Sequence, residues 1–413
     1  MSETSEISKE KLDKRILIIF LIIFTEVLGF SMVAPVIPFL ALSLGLNVFQ
    51  IGLILSIFSL CQFFASPVTG KLSDRYGRKP LLIVSQISTF IGFILLGLAN
   101  EVWILVLARL VDGLLGSNMT VSQAYISDST EPRNRTKVYG YSSAVFGAAL
   151  IFGPLIGGTL STISYSTPMF LAAGVCLVSI LLVIIFLPES LAVKEEKVRI
   201  TFNDIFPIDD AKKFFKDSKI RKLLIIFLIY SLGFMLFIST FALFADIQIK
   251  VTAQEVGFFM AWIGLLRVFF QTLLISPLQK TFGENKVLKL GIISMITAFT
   301  FLIFTTTFLF TFIPLLFIAF GTGVCRPVLT SKLANSVERE ETGCLLGVNN
   351  ALMSIAQIIT PILGGIILYY LNSRILPVIS ASCFVIIFTI LLFNTSEKDS
   401  LQERINDSNS KRG

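Results

Sequence analysis

Apolar runs of about 20 residues recur from Ile16 to Phe393, and each is long enough to cross a hydrocarbon core of roughly 30 Å. Lipid offers the backbone no hydrogen-bond partners, so such runs can fold there only as helices that satisfy their own amides. The runs are continuous rather than alternating over ten-residue segments, which excludes a closed β-barrel. Charged residues make up 15% of the chain and the mean hydropathy is +0.83, whereas soluble domains carry roughly 25% charged residues. The fold class is an all-α polytopic membrane protein. Twelve spans are expected, near 16–44, 47–69, 80–99, 102–126, 137–161, 166–187, 221–244, 254–277, 287–306, 308–331, 343–371 and 374–393.

One long polar interval, Pro188 to Lys222, divides the spans into two sets of six. The expected organisation is an N-terminal tail (1–15), a six-helix bundle (16–187), a linker (188–220), a second six-helix bundle (221–393) and a C-terminal tail (394–413). A short surface helix is expected in the linker around "DDAKKFFKDSK". The polar opening residues lead into the first apolar run without a small-residue cleavage site, as for a retained span. Of the basic residues, only Lys250 and Arg374 fall on the side opposite the tails, and three more (Arg109, Arg267, Arg326) lie inside spans. The positive-inside rule therefore puts both termini in the cytoplasm of a cell-membrane protein. The net charge of +7 reflects that bias and calls for no nucleic-acid partner.

The two halves repeat. "SPVTGKLSD" at Ser66 is echoed by "SPLQKTFGE" at Ser276, and "VYGYSSAVFGAALIFGPLIGG" aligns without a gap on "LLGVNNALMSIAQIITPILGG". Two six-span units starting on the same side imply parallel repeats about an axis along the membrane normal, with a binding site between them near the midplane.

Charges inside spans cost on the order of 3 kcal/mol each and mark function by default. Glu26 lies ten residues beyond Ile16, roughly 15 Å into the bilayer. Arg109 and Asp112 lie roughly 12 and 16 Å below Glu101, and Arg267 is also near mid-depth. Arg109 and Asp112 stand three residues apart, so they either neutralise each other on one helix face or serve a site. Gln271, Asn350 and Gln357 either line a cavity or bond helix to helix. The chain has no histidine, which leaves proton handling to Glu26 and Asp112, with Arg109 as their neighbour. A cationic substrate would favour the deprotonated site and leave on protonation, which is antiport by mutual exclusion. The five cysteines show no metal spacing; no metal, cofactor or catalytic constellation is implied, and the chain does not read as an enzyme. The 39 phenylalanines would suit flat apolar ligands, but lipid contact and helix packing account for most of them.

The charged stretch "GKLSDRYGRKP", Gly70 to Pro80, resembles the loop signature of the major facilitator superfamily, with Gly70, Leu72, Asp74, Arg75, Gly77, Arg78 and Lys79 matching. The resemblance implies that this cluster gates the cytoplasmic face, with Asp74 near the start of span eleven around Thr342 and Gly343. It also implies that Arg135 in "EPRNRTKVYG" is the basic partner. The second-half copy lacks the Asp-Arg pair and the signature's glycines. "RLVDGLLG" resembles a motif of proton-coupled members, and "FGPLIGG" (Gly153, Pro154, Gly157, Gly158) resembles a helix-packing element of the drug/proton antiporter branch. Glu26 stands where tetracycline-type exporters often carry Asp. The resemblance thus implies a monomeric secondary transporter in the lipid bilayer that exports hydrophobic, often cationic, small molecules in exchange for protons. A symporter or facilitator for a sugar or organic anion, and a non-transporting sensor or scaffold, remain the alternatives.

Overall fold

The computed structural model describes residues 14–131, 134–191, 205–338 and 340–410. Most of the expected N-terminal tail, the middle of the linker (192–204) and residues 411–413 lie outside the described residues. The first half comprises α1 (Lys14–Val33), α2 (Ile37–Ser43), α3 (Val48–Tyr76), α4 (Arg78–Gly97), α5 (Val102–Leu115), α6 (Asn118–Ser129), α7 (Arg135–Leu160) and α8 (Ser166–Phe186). The linker carries α9 (Ile208–Lys216). The second half comprises α10 (Ser218–Ile249), α11 (Ala253–Phe269), α12 (Ile275–Ile303), α13 (Phe308–Ala334), α14 (Thr342–Tyr370) and α15 (Ile375–Ser410), with a π-helical turn at Phe270–Leu274 between α11 and α12.

Among the described residues, 11 helical stretches are long and apolar enough to cross a membrane. One of them, Ala253–Ile303, has 51 residues, about 76 Å of helix and more than twice a hydrocarbon core. It breaks at Gly283, whose φ of 77° and ψ of 157° are non-helical, so this stretch makes two crossings and the described residues make twelve. Gly77, at the matching turn of the first half, has φ 110° and ψ 155°, a left-handed region that side chains avoid. A signature glycine is therefore kept in the second half. It was hidden because "SPLQKTFG" is four residues shorter than "SPVTGKLSDRYG", about one helical turn.

Within the first half α1 packs on α7 and α8, and α4 on α5 and α8; within the second, α10 packs on α14 and α15, and α12 on α13. Phenylalanines fill the second core edge to face, with Phe237 5.2 Å from Phe299 and Phe259 5.1 Å from Phe312 between ring centres. The bundles meet through two pairs, α3 with α14 and α7 with α11.

Those two contacts are the same joint built twice, at the end of the bundle opposite the chain termini. Asn47 and Gln50 form a capping box at the start of α3, and Thr252 and Glu255 form one at the start of α11, fixing where each helix begins. Five residues past each cap comes a glycine. A Cβ on Gly52 would meet the Pro361 carbonyl and lie 3.4 Å from Gly365 Cα; one on Gly257 would meet the Pro154 carbonyl and lie 3.0 Å from Gly158 Cα. Reciprocally, a Cβ on Gly365 would lie 2.9 Å from the Val48 oxygen, and one on Gly158 3.0 Å from the Ala253 oxygen. Only glycine permits backbones this close. Below the α3–α14 joint, Ser56 donates to the Ile358 carbonyl at 2.7 Å.

The end bearing the termini is built differently. There a Cβ on Gly343 or Gly347 would meet nothing within 4 Å. The expected surface helix forms as α9 and docks on the second bundle. Phe214 is buried with Ile220, Leu224, Leu333, Leu345 and Val348, and Lys213 Nζ bonds Glu341 Oε1 at 2.6 Å. That bond and the charge of Glu341 hold the Lys213 ammonium above its ordinary value of 10.5. Upstream, Phe206 packs on Phe63 and Phe64 of α3, ring centres 5.2 and 5.8 Å away, so the linker touches both halves.

Candidate functional site

The fourth span, read from sequence as one helix, is broken at Gly116 and Ser117 between α5 and α6. The break exposes the first N–H groups of α6 inside the bundle, a favourable place for negative charge. Glu26, half-way along α1, occupies it and accepts a hydrogen bond from the Met119 backbone. Its Oε2 is buried with no hydrogen-bond partner.

Asp112 sits on the last turn of α5, beside the same break. Thr89 of α4 hydrogen-bonds its carboxylate, and Asn118 Nδ2 donates to Thr89 Oγ1 at 3.2 Å. Arg109 Nη2 is 3.7 Å from Asp112 Oδ2, too long for a hydrogen bond, and its guanidinium lies 5.4 Å from the centre of the Phe58 ring. The structure thus brings Glu26, Arg109 and Asp112 together. The guanidinium stands against Asp112, and Glu26 adds a second carboxylate inside the bundle, so a proton on one of the two acids lowers the charge imbalance.

A void lined by Thr25, Glu26, Gln86, Thr89, Asn118 and Cys176, among others, has room for about one water (about 10 Å³). Gln86 Nε2 donates to Ser179 Oγ at 3.1 Å while its Oε1 lacks a partner. Thr89, Asn118 and Gln86 were missed from sequence, where neutral polar residues in spans look like helix-packing groups. The signal that could have found them was "GLLGSN": two glycines and two cap-forming residues in an otherwise apolar run.

Arg267 lies elsewhere, in the second half. With Arg326 it lines a cavity among Phe227, Tyr230, Phe234 and Thr322. Gln271, on the π-helical turn, is exposed; Asn350 and Gln357 on α14 are exposed and half-buried. None of these three lines either cavity.

The Gly70–Pro80 cluster is held within its own half. Arg78 pairs with Asp74 at 2.6 Å and Asp128 at 2.8 Å, and Nη1 donates to Ser73 Oγ at 2.5 Å. Glu189, unmarked by sequence, accepts from the N–H groups of Arg78 and Lys79 at 2.8 and 3.2 Å, capping α4 beside Gly77. Lys79 Nζ bonds the Ile184 carbonyl at 2.9 Å. Arg75 is exposed beside the Tyr76 ring, and Gly70 and Leu72 are half-buried. Arg135 bonds the carbonyls of Ser127 and Thr130, closing the end of α6. Asp74, expected from the resemblance to sit near the start of span eleven, takes the guanidinium of Arg78 one turn along, and a Cβ on Gly343 at that start would meet nothing within 4 Å. In "FGPLIGG", Gly153 and Gly157 face Ser31 and Met32 of α1, and Gly158 faces α11 across the joint.

The family model of the Major Facilitator Superfamily matches residues 19–248 and 223–411. Tetracycline resistance protein, class B, of Escherichia coli is 30% identical over 85% of this chain and 87% of its own length. Multidrug resistance protein 1 of Bacillus subtilis is 28% identical over 87% of this chain and 90% of its own. A crystal structure of a peptide transporter, POT, in complex with sulfate superposes with a TM-score of 0.75 at 12% identity, covering 94% of both chains, a likeness of fold alone.

Proposed function

The chain belongs to the major facilitator superfamily, and from that premise we propose that it is a proton-coupled antiporter exporting hydrophobic, drug-like molecules across the cell membrane. Tetracycline and multidrug resistance relatives matched over most of the chain support the export reading. Glu26 carries the coupling: an acid with one unpartnered oxygen, at the N-terminus of a broken span, beside a second acid, Asp112, that pairs with Arg109. Glu26 and Asp112 hold the transported proton, and Arg109 keeps the unprotonated pair tolerable in lipid.

The protein works as a monomer with both termini in the cytoplasm, as the basic loops favour. The doubled glycine joint then closes the outer face, and the described state opens inward. In the outward state the Gly70–Lys79 cluster and Arg135 hold the cytoplasmic face shut. The bundles 16–187 and 221–393 move as units about the joints.

The test is uptake of tetracycline into energised everted vesicles holding the full chain. Wild-type accumulation should vanish with an uncoupler, and Glu26→Gln and Asp112→Asn should both fall to the uncoupled level. Movement that ignores the proton gradient, or survives both substitutions, would sink the antiport reading.

A further inference from the structure

Charges within the spans are segregated by bundle. The first half holds Glu26, which lines one small void, and Arg109 paired with Asp112. The second half holds Arg267 and Arg326 on one cavity. Between residues 221 and 393 every Asp and Glu lies toward a helix end or in a turn: Asp246, Glu255, Glu284, Glu338, Glu340 and Glu341. No carboxylate lines the arginine cavity, and neither arginine makes an ion pair among the described residues.

The remaining polar groups there do not supply a counter-charge. The hydroxyls of Thr322 and Ser231 donate to carbonyls of their own helices at 2.8 Å, to Ile318 and Phe227. The guanidiniums are therefore the main free donors, and Arg326 is exposed and Arg267 half-buried toward this space. Their walls are the rings of Phe227, Tyr230 and Phe234. Two like charges sharing a low-dielectric cavity repel unless an anion joins them. Guanidinium forks fit planar, delocalised anions such as carboxylates, and the surrounding rings suit a flat aromatic body.

We propose that the cavity holding Arg267 and Arg326 is an anion-recognising subsite, so that the exported molecules are aromatic amphiphiles bearing a carboxylate or a comparable delocalised anion. The inference names the substrate class of the exporter proposed above and rests on that reading for its physiological meaning. A purely cationic molecule would face two uncompensated positive charges at this subsite. The acids of the other half, Glu26 and Asp112, do not line this cavity.

The test uses two dyes that differ by one methyl ester: rhodamine 110, with a free carboxylate, and rhodamine 123, its methyl ester. Each is titrated by fluorescence anisotropy onto the purified full chain in nanodiscs, with no gradient present. The acid should bind about tenfold tighter or more, the scale of one charge-assisted contact. Arg267→Gln and Arg326→Gln should each erase that preference, and Arg374→Gln, in the loop before α15, should keep it. Arg267→Lys and Arg326→Lys retain charge without the fork and should keep part of the preference, which guards against a glutamine variant that misfolds. Equal affinities, tighter ester binding, binding of neither dye, or a preference indifferent to both arginines would overturn the proposal. Because binding is read without a gradient, the outcomes separate: intact preference with gradient-independent transport refutes the antiport reading alone, and gradient-driven export without preference refutes the subsite alone.

Discussion

Gly257→Ala adds one methyl group at the α7–α11 joint and tests whether backbone contact sets the closed end. Its Cβ would meet the Pro154 carbonyl and stand 3.0 Å from Gly158 Cα. Both neighbours are backbone, so no rotamer change relieves the contact. Carbon atoms settle at about 3.5–4.0 Å, and the two helices must therefore part by about 0.5–1 Å. Overpacking of this kind costs about 1–3 kcal/mol, a shift of about 5- to 150-fold away from the closed joint. Gly52→Ala should act the same way, because it meets Pro361 as Gly257 meets Pro154. The assay is electron-spin distance measurement between labels at Ile163→Cys and Leu309→Cys, which are 73% and 77% exposed at the closed end of opposite bundles. Cys344 and Cys383, the two thiols not buried, are replaced by serine. Each alanine variant should add a longer-distance population. A wild-type distribution in both would show that the glycine joints do not determine closure.

Arg78→Ala removes the shared partner of Asp74, Asp128 and Ser73 and should cost about 2–5 kcal/mol. Arg75→Ala, at an exposed side chain, should stay within about 0.5 kcal/mol; equal melting temperatures in detergent would contradict this assignment. Glu341 raises the Lys213 ammonium above 10.5, so its part in docking α9 is complete below that pH and is lost only as pH rises through the raised value. Hydrogen exchange of residues 208–216, corrected for intrinsic rate, should stay protected from about pH 7 to 9 and become faster at neutral pH in Lys213→Met. Loss of protection inside that window would mean another group holds the helix.

The spans were legible because lipid forces long apolar runs, and the charges within them stood out against that background. Glu26, Arg109 and Asp112 could therefore be named as a group before any geometry was known. The break in the fourth span was passed over although "GLLGSN" marks it, because the polar stretch Asn118–Ser129 still follows α5 without a charged or proline stop. Arg267 and Asp112 were both read as charges near mid-depth, yet they serve different bundles, a matter of tertiary placement that depth along a helix cannot reveal. The Gly52 and Gly257 joints escaped for a similar reason: each is a lone glycine whose partner is some 300 or 100 residues away in sequence. The "FGPLIGG" element was visible, but the split of its glycines between α1 and α11 follows from the helical rotation of Gly157 and Gly158 by about 100°.

The doubled joint is made of main-chain atoms, which are the same whatever side chains surround them. Closing the pathway therefore asks nothing of the cargo-facing residues, and these are free to vary. A chain built this way can acquire a new spectrum of exported compounds by exchanging residues around Arg267 and Arg326 while its door keeps the same hinge plates. The reverse does not hold: a single methyl at Gly52 or Gly257 would compromise every substrate alike.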